Sequence, residues 1–510
     1  MVDVPQVDTL EMTGSWTLPK IRRWKNSQLP VNRLPQEILI LVATYLGDYI
    51  MLIYLTHVCT HWRRVITACP TFWTRIEFGD EGIGMTTFIT NLFLERANGC
   101  PLDVHISPPL IPRNIRPKRY IIPTLPPGQQ VKTLCIKYSW TAIQKILGNW
   151  VDALFPLQVL ELDADEPSLA SRSTIFVGDA LKDLKLRGFA IPGLEYIRTP
   201  NLTTFLFSEN LQTPCSVKRL FDFLEAAPAL EEVSIRVNSL SVHDFPPPSR
   251  TLTFPHIRLI TLEMNHAPQV SSHLVCPSST DTRLTNMFPE NPAVGIFPES
   301  IHQFSERYSV GTIDQVIMRV AERDEYKRCS LQLCSPSGAR FKIACQTAWI
   351  PEPFPPETDL WAFSVLFDQA VSALLSLPLG NVTTFAMATK YSPSDFAEDV
   401  AGIVPRIAEV FEKCPNLREV LLQNYPPRAL SVLSRDKTPS IQVLVIKYPW
   451  DDLWEDLAEN IAEVARARHS KGVPFKRIEI FTAEKHPRIE LLESWVQEVK
   501  YQVQPLQARR

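Results

Sequence analysis

A six-residue pattern of side chains, apolar-x-x-apolar-x-apolar, recurs ten times between residues 131 and 480 of this 510-residue chain. The last two apolar positions of each instance alternate with other residues, as in a β-strand with one buried face. The instances are Val131/Leu134/Ile136, Leu157/Leu160/Leu162, Leu181/Leu184/Leu186, Leu202/Phe205/Phe207, Leu230/Val233/Ile235, Ile257/Ile260/Leu262, Val382/Phe385/Met387, Leu417/Val420/Leu422, Ile441/Leu444/Ile446 and Phe475/Ile478/Ile480. Proline often stands two residues ahead, at the strand entrance, where no ladder hydrogen bond is needed. The pattern predicts many short strands, each with one face inward.

Helical segments precede several of these strands, for example at 216–230 and 402–417. Helix, proline turn and strand in repeated order resemble a leucine-rich repeat solenoid. Apart from one gap, between Ile257 and Val382, successive starts lie 21 to 35 residues apart, and the asparagine or cysteine that normally follows the strand is mostly missing. The resemblance therefore implies an irregular solenoid. An ordinary α/β domain with several parallel strands is the alternative.

The stretch between the sixth and seventh instances is less regular. A proline- and serine-rich run at 266–283 predicts a loop, and the apolar spacing near 312–323 predicts an amphipathic helix. Residues 330–346 alternate on both sides of Ser-Pro-Ser-Gly, which predicts a β-hairpin. The proline runs at 107–127 and 350–356 predict loops that link repeats.

The most apolar part of the chain is LPQEILILVATYLGDYIMLIYL, residues 34–55. From Ile38 onward, eighteen residues carry one charge, Asp48, which is about the length of a membrane span. An aspartate near the middle of a span would cost roughly 2.5–3.5 kcal/mol. Gly47-Asp48 is instead typical of a turn. We therefore favour two short helices over a membrane helix, with Pro35 at the start of the first, where proline is tolerated.

The predicted first helix has more apolar surface than a short helix can bury alone. One apolar face follows from the i, i+3, i+4, i+7 spacing of Ile38, Leu41, Val42 and Tyr45. Leu39, Ile40 and Leu46 add apolar side chains on other sides. We expect a burial partner beyond the neighbouring helices.

A third helix is predicted from the helical spacing of Val58, Trp62 and Val65, and Cys69-Pro70 ends it. Four motifs then stand in order: Leu34-Pro35-x-Glu37-Ile38, Tyr45-Leu46, Val58-Cys59-x-x-Trp62-Arg63, and Pro70-x-x-Trp73 with Ile76 behind it. Together they resemble the F-box, a helical module of about fifty residues. With the segment LERANGCPLDVHI (94–106) they look most like the large fungal branch of F-box proteins. Ile50-Met51-Leu52 departs from the family, which often has an acidic residue followed by leucine there.

The resemblance implies a binding partner. F-boxes dock on a Skp-type adaptor, which attaches them to a cullin scaffold in an SCF ubiquitin ligase. Carried over by position, seven residues would form or support the docking surface: Leu34, Pro35, Ile38, Leu46, Val58, Cys59 and Trp62. Packing inside the module is the alternative for each of them, and most of all for Val58 and Trp62.

The sequence therefore predicts a non-catalytic substrate receptor, cytoplasmic or nuclear, that presents an unidentified protein target through its repeat domain. The target would contact outward-facing strand positions, for which the candidates are Glu161, Asp183, Lys185, Glu232, Glu419, Arg477 and Glu479. Each could equally be a plain solvated side chain. The alternative function is a scaffold or regulatory binding protein that uses its F-box outside a ubiquitin ligase.

Other kinds of chemistry find little support in the sequence. A net charge of −3 gives no electrostatic case for nucleic acid. No phosphate-binding glycine loop, hydrolase or kinase signature is present, so neither a catalytic residue nor a cofactor is expected. His57-x-Cys59-x-His61 could hold zinc only if Cys59 shared the histidines' helix face, and its position is two residues from each. The basic cluster at 20–25 is either a nuclear address or part of a solvated arm.

The expected fold class is α/β, with three domains. Residues 1–30 are a flexible arm, residues 31–80 a three-helix F-box, and residues 81–510 an irregular leucine-rich-repeat-like solenoid.

Overall fold

The computed structural model describes most of the chain after residue 27. The described ranges are 28–46, 49–78, 83–107, 127–164, 178–188, 199–209, 216–237, 249–287, 313–323, 326–336, 340–348, 367–389, 400–425, 427–448, 454–482 and 487–503, with 25, 125, 240 and 245–247. The chain divides into two compact units, residues 1–162 and 163–510. The boundary lies within one strand, β4 (Val159–Ala164).

Three short helices come first: α1 (Gln36–Leu46), α2 (Tyr49–Val58) and α3 (Thr60–Thr67). Helices α1 and α2 confirm the predicted division of the apolar stretch, although Gly47 and Asp48 themselves lie outside the described residues. Glu37 lies in the first turn of α1, where its charge favours the helix dipole. No helix in the described part of the chain is long and apolar enough to cross a membrane.

The third helix begins later than the sequence predicted. Val58 is the last residue of α2, and Cys59 is extended (φ −160°, ψ 174°), so neither lies on α3. The spacing of Val58, Trp62 and Val65 fits one helix, but the chain turns at Cys59 between two of them. Trp62 and Val65 are therefore buried together, whereas Val58 is exposed.

The remainder of the first unit alternates strands and helices. Its elements are a 3-10 turn (Pro70–Trp73), β1 (Arg75–Phe78), α4 (Ile83–Ala97), β2 (Leu102–Ile106), β3 (Val131–Tyr138), α5 (Trp140–Asn149), a 3-10 turn (Val151–Leu154) and the start of β4. Strand β2 pairs in parallel with both β1 and β3. Leu102, Val104 and Ile106 of β2 point into the core.

The second unit carries fifteen strands within the described residues. After the end of β4 they are β5 (Asp183–Arg187), β6 (Thr204–Ser208), β7 (Glu232–Val237), β8 (Leu252–Thr253), β9 (Leu259–Met264), β10 (Leu274–Val275), β11 (Asp281–Met287), β12 (Gln315–Arg323), β13 (Tyr326–Cys334), β14 (Arg340–Ala348), β15 (Thr384–Thr389), β16 (Glu419–Gln423), β17 (Val443–Tyr448), β18 (Arg477–Thr482) and β19 (Glu498–Val503). Its described helices are α6 (Val217–Glu225), α7 (Ala267–Ser271), α8 (367–375), α9 (Val400–Glu412) and α10 (Trp454–Ser470).

Parallel pairing in sequence order dominates the sheet of this unit. Strands β5, β6, β7, β9 and β11 are successive parallel neighbours, and so are β15 to β19. Between these groups, β11 pairs in parallel with β14, β13 lies antiparallel between β14 and β12, and β12 pairs in parallel with β15. The fold is thus mixed α/β with a large, mainly parallel sheet.

The recurring apolar pattern predicted these strands correctly. In all ten instances the last two apolar positions lie in a strand and are buried, as Phe205 and Phe207 are in β6. Helices α6 and α9 confirm two of the predicted helical segments, and Ser216 caps α6 by accepting a hydrogen bond from the Arg219 amide. The hairpin is confirmed as well, because β13 and β14 pair antiparallel across residues 335–339.

Two predictions for the irregular stretch were wrong. The segment expected to be an amphipathic helix is strand β12, in which Val316 and Met318 alternate inward and pair with strands on both sides. The run at 266–283, expected to be a loop, contains α7, β10 and the start of β11. Its apolar side chains Val270 and Leu274 belong to the core, so local proline and serine content was misleading.

Candidate functional site

Helix α1 has one face packed inside the first unit and an apolar face exposed to water. Leu39 and Ala43, one turn apart, are buried. All four members of the predicted apolar face are exposed, with Leu41 50% and Tyr45 83% exposed; they are Ile38, Leu41, Val42 and Tyr45. Leu46, at the end of the helix, is exposed as well. The predicted apolar face of this helix is therefore present but is not covered by the chain that folds beside it.

Helix α2 repeats this arrangement. Leu52 and Thr56, again one turn apart, are buried, and the Thr56 hydroxyl donates to the Ile53 carbonyl. Met51, Tyr54 and Val58 follow the i, i+3, i+7 spacing of one helix face, and all three are exposed. We call the exposed side chains of α1 and α2 together the apolar helix surface.

The core beneath this surface is small and well defined. Leu39 of α1 packs with Trp62 and Val65 of α3, and Leu34 and Cys59 pack partly buried against them. The Trp62 indole N–H donates to Asn32 Oδ1 at 2.9 Å, and Cys59 Sγ lies 3.4 Å from the same oxygen. These contacts hold the 3-10 turn Pro30–Arg33, and hence the start of α1, against α3.

A second set of contacts secures the end of the helical module. Arg63 Nε donates to the Thr56 carbonyl at 2.8 Å, which joins α3 to α2. The Trp73 indole N–H donates to the Ile66 carbonyl at 3.0 Å. Trp73 packs edge-on against Phe93 of α4, and the Arg96 guanidinium lies 4.3 Å from the centre of its ring. The motif residue Trp73 is thus a structural anchor.

The comparison with known protein families agrees with this geometry. A model of the F-box-like family matches residues 31–78, which span the 3-10 turn, the three helices and β1. The chain carries an F-box-like domain. No curated protein and no solved structure matches the chain. The apolar helix surface is therefore a feature of the F-box-like domain, and F-box domains generally bind Skp-type adaptors.

The seven predicted docking residues occupy different environments in this domain. Pro35, Ile38, Leu46 and Val58 are exposed. Leu34 and Cys59 are half-buried against the core, and Trp62 is buried within it. Sequence reasoning had not named five exposed members of the surface as docking residues: Leu41, Val42, Tyr45, Met51 and Tyr54. On α1, the spacing of the apolar face could have identified these residues from the sequence. On α2, the i, i+3, i+7 spacing of apolar residues could have done so.

The seven predicted target-contacting residues all lie on strands, on the side away from the core, and all are half-exposed. Glu161 is in the first unit and the other six are in the second. Asp183 and Glu232 occupy the same register position on either side of Thr204 in β6. Glu419 and Arg477 share a register position on either side of Val443.

Two of these six are paired with each other. Arg477 Nε lies 3.0 Å from Glu479 Oε1, and Lys500 Nζ of the adjacent strand β19 lies 4.0 Å from the same oxygen. Exposed ion pairs of this kind stabilise a fold by only about 0–1 kcal/mol. This part of the sheet surface is therefore locally neutralised, whereas Asp183 and Glu232 have no ion-pair partner among the residues the structure describes.

One ionisable group lies on the inward side of the same region. Glu209 follows β6 directly, and its amide donates to the Arg236 carbonyl at 2.8 Å. The side chain is 2% exposed, and Oε2 has no hydrogen-bond partner within the described ranges. Burial raises the pKa of Glu209 to about 8, so the carboxyl is protonated at neutral pH.

The two histidines considered as zinc ligands, His57 and His61, lie on different helices, α2 and α3. His61 Nδ1 lies 3.5 Å from Arg64 Nη2, and Cys59 contacts Asn32. Across the described ranges, no three His, Cys, Asp or Glu side chains lie close enough together to hold a metal ion.

Proposed function

We propose that this protein is a substrate-recognition subunit of an SCF-type ubiquitin ligase. Its F-box-like domain would dock on a Skp-type adaptor, and through it on a cullin, by means of the apolar helix surface. The observation that carries the proposal is the pair of apolar faces on α1 and α2 that the domain leaves in water. Exposed apolar groups concentrated in this way are typical of protein interaction sites.

The energetics favour a partner of this kind. Full burial of a Leu, Ile or Val side chain contributes roughly 1.5–3 kcal/mol. The side chains of the apolar helix surface are about half exposed, so a partner that covered them would gain about half of that free energy for each. Eight such side chains would supply several kcal/mol even after the cost of association. Binding a partner would leave the domain's own core in place, because Leu39, Trp62 and Val65 are not members of the apolar helix surface.

For the second unit we propose an irregular leucine-rich-repeat-like solenoid that presents a protein target. Its support is the sequence-ordered parallel pairing of β5, β6, β7, β9 and β11 and of β15 to β19, with helices such as α6, α9 and α10 between strands. In this role the protein contributes proximity and orientation and no chemistry of its own. The target-facing side would be the half-exposed strand face that holds Asp183 and Glu232.

Affinity capture with a recombinant Skp-type adaptor tests this function. We expect the wild-type chain to be retained and the double variant Leu34→Asp with Pro35→Ala to be retained much less. Loss of wild-type binding, or equal binding of the variant, contradicts the docking proposal. Adding cullin separates the two possible roles, because a ligase subunit recruits cullin through the adaptor and a scaffold that acts outside the ligase does not.

A further inference from the structure

The outward surface of β5, β6 and β7 is arranged around its central strand, β6. Its floor is the outward side of β6, with Thr204, Leu206 and Ser208. Phe205 and Phe207 of the same strand point into the core and fix the strand's orientation. Longer charged side chains stand on both neighbouring strands at each end of this floor. We call this feature the β6 trough.

The end of the trough at the start of the strand is acidic. Asp183 of β5 and Glu232 of β7 are both in register with Thr204. Since adjacent strands lie about 4.8 Å apart, the two carboxylates flank Thr204 from opposite sides, with backbones about 10 Å apart. Neither has a basic partner among the described residues. A cation placed over Thr204 would therefore meet two unneutralised carboxylates.

The other end is basic. Arg187 of β5 and Arg236 of β7 are both in register with Ser208, and their side chains are 59% and 58% exposed. Each has one distant acidic neighbour away from the trough: Asp163 at 4.0 Å from Arg187 and Glu263 at 3.7 Å from Arg236. Exposed pairs at such distances are weak, so both guanidinium groups can turn toward a carboxylate placed over Ser208.

The separation of the two ends defines what fits between them. Thr204 and Ser208 are four residues apart on one strand, which corresponds to about 13 Å in an extended chain and only about 6 Å in a helix. Lys185, in register with Leu206, adds one further basic group on the β5 side. The charge pattern therefore matches an extended peptide segment better than a helical one.

We propose that the β6 trough binds an extended segment of the target protein in which a basic and an acidic side chain stand four residues apart. The basic side chain lies between Asp183 and Glu232, and the acidic side chain lies between Arg187 and Arg236. This inference rests on the proposed function, in which the strand face of the second unit holds the target, and it specifies the chemistry of the target.

Fluorescein-labelled nine-residue peptides test the proposal on the full-length chain. The probes carry Lys and Glu four residues apart, in either order, within a Gly/Ser/Thr background, and the comparison probes carry them two residues apart. We expect one order of the four-residue spacing to bind at least fivefold more tightly than the two-residue spacing at low ionic strength, and this preference to weaken with added salt. Equal binding of all probes overturns the proposal.

Substitutions locate the binding. The double variant Arg187→Gln with Arg236→Gln should lose the preference, while Arg319→Gln, an exposed arginine on β12 outside the trough, should keep it. Replacing Asp183 and Glu232 by lysine should shift the preference to a probe with glutamate at both positions. An unchanged preference in these trough variants also overturns the proposal. Adaptor binding measured on the same preparations reports on the F-box-like domain alone, so failure of the trough and failure of the docking function are distinguishable.

Discussion

The wild-type chain should lose stability as the pH rises from 4.5 to 8, and replacing Glu209 by glutamine should prevent this loss. In the folded chain burial raises the pKa of this carboxyl from 4.5 to about 8. Between these values the folded state keeps a proton that the unfolded state releases, so the free energy of unfolding falls with increasing pH. The stabilisation is complete below pH 4.5 and is lost by pH 8.

The magnitude follows from the size of the shift. Each pKa unit corresponds to about 1.4 kcal/mol, so a shift from 4.5 to about 8 corresponds to at most about 5 kcal/mol between the two ends of the range. Glutamine has the shape of the protonated acid and cannot ionise. The difference in unfolding free energy between variant and wild type should therefore change in favour of the variant by several kcal/mol from pH 4.5 to pH 8.

Urea unfolding at a series of pH values measures this difference. Hydrogen exchange by mass spectrometry on peptides that cover 199–237 restricts the measurement to the strands around Glu209. Glu463→Gln, at an exposed position in the middle of α10, is the matched control and should leave the pH profile as it is in the wild type. If Glu209→Gln and wild type respond to pH in parallel, the burial of this carboxyl in its protonated form is refuted.

Three other substitutions test individual contacts. Trp62→Phe should destabilise the F-box-like domain by about 1 kcal/mol through loss of the hydrogen bond to Asn32, and a double-mutant cycle with Asn32→Ala should show coupling between them in urea unfolding. Arg468→Met should lower the free energy of unfolding by about 3–5 kcal/mol, because this buried guanidinium donates to three backbone carbonyls that would be left unpaired. A near-zero change in thermal unfolding would contradict this role. Arg250→Gln should cost only about 1 kcal/mol, since its carboxylate partners on α6 are exposed, and calorimetry would show a larger loss if the pairing were stronger than the geometry indicates.

Local patterns predicted the strands and failed where pairing is not local. The alternation of apolar residues in β6 or β18 lies within six residues, and every such strand has one face in the core. The local sequence was therefore sufficient to predict these strands. Strand β12 has apolar residues whose spacing also suits a helix, and it is a strand because β13 and β15 pair with its two edges. Whether this segment becomes a strand or a helix thus depends on residues up to 69 positions away. One example is the hydrogen bond from the Thr383 hydroxyl to the Asp314 carbonyl.

The apolar helix surface was predictable in kind but not residue by residue. Helix α1 is apolar on most sides, so its sequence alone did not indicate that Leu39 would face the core and Leu41 the solvent. Trp62 and Val65 decide this by packing on Leu39. Likewise, the motif alone did not indicate that Trp62 would be buried, since its hydrogen bond is to Asn32, a residue outside the quoted motifs.

The affinity of a Skp-type adaptor for two matched variants tests the account most directly. Leu41→Asp changes a half-exposed side chain of the apolar helix surface, and Phe155→Asp changes an even more exposed side chain elsewhere in the first unit. Both should fold, as circular dichroism can verify. Isothermal titration calorimetry should show at least about 30-fold weaker binding for Leu41→Asp, about 2 kcal/mol, and wild-type affinity for Phe155→Asp. Equal affinities for both variants, or no binding by the wild type, would contradict the central claim that this surface is the adaptor site.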